Sequence, residues 1–71
     1  MMNYAVVFER TETGWSARAP DLPGLAVDAT TIEEAEHLMR EGLEFHIAGL
    51  REEGQPVPAP ATQVRQIAIP A

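Results

Sequence analysis

Two histidines and a group of carboxylates are the side chains of this 71-residue sequence that could do chemistry. His37 and His46 are nine positions apart, which puts them on different sides of any helix carrying both. They therefore do not form the i, i+4 pair of a zinc-binding helix. His46 falls within an apolar stripe and reads as a buried, hydrogen-bonded histidine, while His37 faces solvent. Asp21, Asp28, Glu33 and Glu34 could gather near the start of a helix and hold a divalent ion through oxygen ligands. The positive end of a helix dipole already accounts for Glu33 and Glu34, however. The sequence has no Gly-rich phosphate loop and no Ser-His-Asp order. Trp15 and Tyr4 offer flat faces on which bases could stack, but they lack basic flanks and read as core or protein-interface residues. The expectation is no catalytic residue, no metal and no cofactor.

The charge distribution points the same way. Net charge is −6, and all five basic residues are arginines, scattered at 10, 18, 40, 51 and 65. Binding to DNA or RNA needs a basic stripe to displace phosphate counterions, so direct nucleic-acid binding is not expected. An acidic surface suits a basic protein partner. With no cysteine, no disulfide or thiolate site can staple the chain. A chain of this length buries only about 60–65% of its unfolded surface, which favours assembly into a homo-dimer or tetramer. The N-terminus lacks the basic and apolar regions of a signal peptide. No apolar run approaches the ~20 residues that span a bilayer, so a cytoplasmic protein with no membrane partner is expected.

One long helix must organise these residues. Thr31 is an N-cap type, and Glu34 follows three positions later as in a capping box, with the carboxylate returning to the Thr31 amide. Gly54 suits the position after the helix, and Pro56 ends it. Between them, Ile32, Ala35, Met39, Leu43, Ile47 and Leu50 recur at three- and four-residue steps. A second stripe, Leu38, Gly42, Phe45 and Gly49, runs beside the first. Two glycines inside a helix cost about 1 kcal/mol each relative to alanine, so something is expected to pack closely there. A strand of the same chain and a second copy of the protein are equal readings, and the second makes this stripe the oligomer interface.

Strands precede the helix. Asn3–Arg10 alternates Tyr4, Val6 and Phe8 against Ala5 and Val7; with both faces apolar, it reads as a central strand or one covered on both sides. Thr11–Gly14 is a hairpin loop, and Trp15–Ala19 returns with Trp15, Ala17 and Ala19 on one face. Pro20-Asp21-Leu22-Pro23-Gly24 is a rigid, shaped loop. Leu25–Ala29 reads as a third strand. After the helix, alternating proline at 56, 58 and 60 makes an extended connector. Thr62–Ile69 reads as a fourth strand, which either rejoins the sheet or pairs with another chain. The predicted architecture is a single two-layer α+β domain over residues 1–71, β-β-β-α-β, with the helix on a small, mostly antiparallel sheet.

Three blocks resemble a known family. Gly14-Trp15-Ser16-Ala17-Arg18-Ala19-Pro20-Asp21-Leu22-Pro23-Gly24 is similar to the G-aromatic…P-D-L-P-G segment of HicB-like antitoxins. Thr31-Ile32-Glu33-Glu34-Ala35 looks like that family's T-x-E-E-A, and Gly54–Pro60 like its G-x-x-x-P-x-P. The blocks share the family's order and spacing and cover nearly all of the chain. The resemblance implies a partial ribonuclease-H-like fold without nuclease activity. It also implies a partner, a small basic messenger-RNA-cleaving toxin, HicA, whose active site the antitoxin covers, and assembly as dimers or tetramers. Many members carry a C-terminal DNA-binding domain; this sequence stops after the fourth predicted strand, so none is expected. Ala29-Thr30-Thr31 replaces the usual G-D-T, which implies a different turn into the helix.

The leading expectation is a non-enzymatic, HicB-like antitoxin that masks a HicA-like toxin. Its predicted contacts are Trp15, Pro20, Asp21, Leu22, Pro23 and Gly24. An orphan oligomeric domain with another partner is the alternative. A metal-dependent nuclease, suggested by fold analogy alone, ranks last.

Overall fold

The computed structural model describes all residues from Met1 to Ala71. Three strands, β1 (Val7–Arg10), β2 (Trp15–Arg18) and β3 (Ala26–Ala29), precede one helix, α1 (Ile32–Glu52). The strands form one antiparallel sheet in the order β1-β2-β3. The α+β, two-layer reading is therefore correct for the sheet and helix. Two details differ. β1 lies at an edge of the sheet, not at its centre, because two successive short connections place β2 between its neighbours. Thr62–Ile69 forms no strand and has no ladder partner.

Register follows from the alternation. Phe8 pairs with Ala17, and Ala17 with Val27, so the apolar positions of all three strands line one face. On the other face Arg18 Nε reaches Glu9 Oε1 at 3.5 Å. Ala5 and Val7 share that uncovered face and stay half-exposed.

The helix lies on the apolar face. Ala17, Ala19, Leu22, Ala35 and Met39 are the fully buried residues. Three alanines among five let α1 come close to the sheet, and Leu22 and Met39 supply most of the buried volume. Full burial of each of these two contributes roughly 1.5–3 kcal/mol. Tyr4, Val6, Phe8, Val27, Leu43, Ile47 and Leu50 pack around them, partly buried.

Both ends of α1 are capped. The Glu34 amide donates to Thr31 Oγ1 at 3.1 Å. The Glu34 carboxylate accepts from the Thr30 amide at 3.2 Å, one residue earlier than the capping-box reading expects. At the other end Gly54, at φ 70°, donates to the Arg51 carbonyl, and Gln55 donates to that of Leu50 at 2.8 Å. This pair of bonds is the Schellman arrangement, and it needs a residue at ease in the left-handed region.

The turn into the helix contains no positive φ outside glycine, and Thr31 is extended at φ −129° and ψ 158°. Ala29-Thr30-Thr31 thus needs no glycine. The constraint falls on Gly14 instead: a Cβ there would run into the Ala29 carbonyl oxygen and come within 2.7 Å of Thr30 Cα. The β1–β2 hairpin loop is thereby held against the junction that starts the helix.

Candidate functional site

The Pro20–Gly24 loop is two turns in succession. Leu22 N–H donates to the Ala19 carbonyl at 3.0 Å, and Leu25 N–H donates to the Leu22 carbonyl at 3.2 Å. Proline at the second position and Gly24 at the third, φ 91°, give the second turn its type II form. Leu22 is 1% exposed. It pins the loop from below and offers a partner no surface of its own, whereas Pro23 and Gly24 are exposed.

Asp21 has an internal task. Its Oδ2 accepts from the Ala61 and Thr62 amides at 2.9 and 3.0 Å, and its Oδ1 from the Thr62 hydroxyl at 2.8 Å. The Thr62 amide first, then the Ala61 amide and the Thr62 hydroxyl, hold the Asp21 carboxyl below the usual aspartate range. Tyr4 OH donates to the Pro58 carbonyl. The connector after α1 is therefore tied to the body at two points.

Trp15 is half-buried at the hairpin end of β2, the opposite end of that strand from the Pro20–Gly24 loop. The structure therefore does not bring it together with the other expected contacts. The Arg10 guanidinium sits 4.8 Å from the Trp15 ring centroid. The sequence reading missed this cation–π pair, although two residues that close a four-residue hairpin loop must face one another. His37 Nε2 lies 3.5 Å from Glu41 Oε1. His46 is half-buried, not enclosed as expected. Asp21, Asp28, Glu33 and Glu34 do not converge, and no group of three or more His, Asp or Glu side chains is placed to hold a metal ion.

The second helical stripe divides in two. A Cβ on Gly42 would lie 2.9 Å from Leu25 Cδ1, so Gly42 makes room for a side chain of its own chain. Nothing lies within 4 Å of a Cβ on Gly49, and Phe45 is 83% exposed. On the opposite flank of α1 a groove of about 740 Å³ opens between the helix and the start of β1. Tyr4, Val6 and Phe8 line one wall; Met39, Leu43 and Ile47 line the other. Both rows are visible in the sequence, but their separation is not.

The fold and its surfaces define a class: a small α+β unit whose distinctive features are an open sheet edge, an apolar groove, a stiff loop and acidic charge. Residues 4–70 match the family described as HicB-like antitoxin of bacterial toxin-antitoxin systems, and the chain belongs to that family. It is 34% identical over 62 residues to a protein of Photorhabdus laumondii named Antitoxin HicB 2, covering 87% of this chain and 45% of that protein. It is 32% identical over 57 residues to an uncharacterized 14.9 kDa protein from the rep-hol intergenic region of Haemophilus phage HP1, covering 80% of this chain and 43% of that one. The chain thus spans less than half the length of these relatives.

Proposed function

We propose that this chain is an antitoxin-type binding module that neutralises a small, basic, HicA-like messenger-RNA-cleaving toxin by covering its active site. Membership of the antitoxin family across residues 4–70 carries this reading, and it favours a non-catalytic role in the cytoplasm, where messenger RNA is cleaved. The acid-rich surface supports it, since opposite charge raises the encounter rate with a basic partner. The proposed contact surface is the rim formed by Pro20, Asp21, Pro23 and Gly24, held rigid by Leu22 beneath; Trp15, at the other end of β2, would contribute only to a contact that runs the length of the sheet. A preformed loop loses little conformational freedom on binding.

The test is titration calorimetry at low salt with the product of a neighbouring gene, where that product is small and basic, or with a HicA-like toxin, alongside an RNA-cleavage assay. Binding with loss of cleavage is the expected result. Neither binding nor protection would end the reading.

One observation favours a second reading, an oligomeric interaction domain with a different partner. Phe45 is 83% exposed beside the open Gly49 face, and an exposed aromatic is a residue type enriched in protein interfaces. Leu38, Gly42, Phe45 and Gly49 are the proposed contact with a second copy. Phe45→Glu is expected to reduce the mass of any assembly built on this face, measured by light scattering.

A further inference from the structure

The loop rim and one flank of the helix form a single surface. Leu25 follows Gly24 directly, and its Cδ1 would lie 2.9 Å from a Cβ on Gly42. The turn at Pro23-Gly24 therefore passes into the helix flank without a break. Beyond Gly42 the flank carries Phe45, 83% exposed. Leu38, Glu41, Gly42, Glu44 and Phe45 line a shallow depression there. Its floor is apolar, and both of its charged side chains are carboxylates.

None of the five arginines of the chain answers that charge. Arg40 and Arg51 line the groove on the opposite flank of α1. Arg10 stacks on Trp15 at the far end of β2. Arg18 meets Glu9 on the uncovered face of the sheet, and Arg65 lies in the tail beside Gln63. His37 approaches Glu41 at 3.5 Å. The depression thus offers an exposed aromatic ring and two carboxylates, and the chain supplies no guanidinium to cover them.

We propose that this flank is the second half of the partner's footprint, and that it receives an arginine or lysine of a basic protein. The aliphatic stem of that side chain lies along Leu38 and Phe45, and its charged head sits between Glu41 and Glu44. A long basic side chain suits such a place because its stem covers apolar surface while its head keeps to the polar rim. A cation over an aromatic ring adds to the attraction, as Arg10 over Trp15 already does within the chain. A second copy fits the same surface less well: a two-fold contact sets a patch against itself, which brings Glu41 and Glu44 towards carboxylates. The proposal rests on the antitoxin reading for the identity of the partner, but its chemistry is tested without the toxin.

The experiment uses the isotope-labelled full chain and a hexa-arginine peptide at low salt. Amide shifts should concentrate at Leu25, Leu38, Gly42 and Phe45. Those at Leu25, Leu38 and Gly42 should vanish in Phe45→Ala and in Glu41→Gln with Glu44→Gln, and persist in Arg40→Gln. All four side chains are exposed, so none of these variants should move the urea midpoint. For an inactivated HicA-like toxin, Phe45→Ala should weaken binding about fivefold. The double glutamine variant should weaken it about three- to tenfold, and that loss should fade at about 1 M salt. Peptide shifts that fall elsewhere or survive in the variants, or toxin affinity that the variants leave unchanged, would overturn the proposal. So would a lower mass of the free chain in Phe45→Ala by light scattering, which assigns the face to a second copy. A toxin that does not bind the wild type ends the antitoxin reading alone, and the peptide map then decides this one.

Discussion

Residues 19–25 and residues 56–63 are both proline-punctuated and both lie outside regular structure, yet they differ in what holds them. The first segment is anchored from inside: Leu22 fills the core, and two turn hydrogen bonds set its shape. The second is anchored from outside, by the Tyr4 hydroxyl and the Asp21 carboxylate. Proline limits the backbone in both. The first has a fully buried apolar side chain, Leu22, whereas the second has only the half-buried Val57. The second is expected to loosen from the body more readily than the first.

The largest test of this contrast removes the inner anchor. Leu22→Ala is expected to cost about 2–5 kcal/mol, against a total of about 4–11 kcal/mol for a domain of this length. Urea titration should find it the most damaging change here; a loss under 1 kcal/mol would show that the loop is not held by its core leucine. Gly14→Ala comes next, at about 1–3 kcal/mol, since the added methyl forces apart the hairpin loop and the start of α1. Thr31→Ala removes the acceptor for the Glu34 amide and should cost about 1 kcal/mol in thermal or urea melts.

The outer anchor should behave differently. Asp21→Ala is expected to leave the urea midpoint of the body nearly in place while the Ala61 and Thr62 amides exchange faster with deuterium. Acid should act in the same way. The folded-state pKa of Asp21 is depressed, so the tether is at full strength above the ordinary aspartate value of about 3.9. It loosens as pH falls through the lower folded value. Chemical shifts of the two amides against pH report it. A midpoint below 3.9 is expected, and one at or above it would show that the carboxylate does not hold the tail.

The smallest effect compares the two helical glycines. Gly49→Ala meets open space and should stabilise the protomer by about 0.8–1.0 kcal/mol. Gly42→Ala must displace Leu25 Cδ1 and should gain less. If Gly49→Ala instead lowers the mass of the assembly, a second copy packs on that face.

Much of the fold was legible because it is local. The helix boundaries follow from Thr31, Glu34 and Gly54; the hairpin from Gly14; the turn from Pro23-Gly24; the buried faces from three- and two-residue periodicity. Even where local reading slipped, as with the Glu34 carboxylate meeting the Thr30 amide, the error was one residue. Less of the candidate site was legible. Asp21 read as a surface contact or a possible ligand, and nothing near it in sequence shows that its partners are forty positions away.

The sequence by itself determined the types of the three strands and the helix, the helix caps and which face of each is apolar, because these depend on backbone preferences and spacing within a few residues. Tertiary structure alone decided that β1 is an edge, that Gly42 makes room for Leu25 while Gly49 stays open, and that Thr62–Ile69 leaves the sheet unpaired. Strand pairing and groove filling join residues distant in the chain. A pattern that suits a strand states which side must be covered, not which molecule covers it.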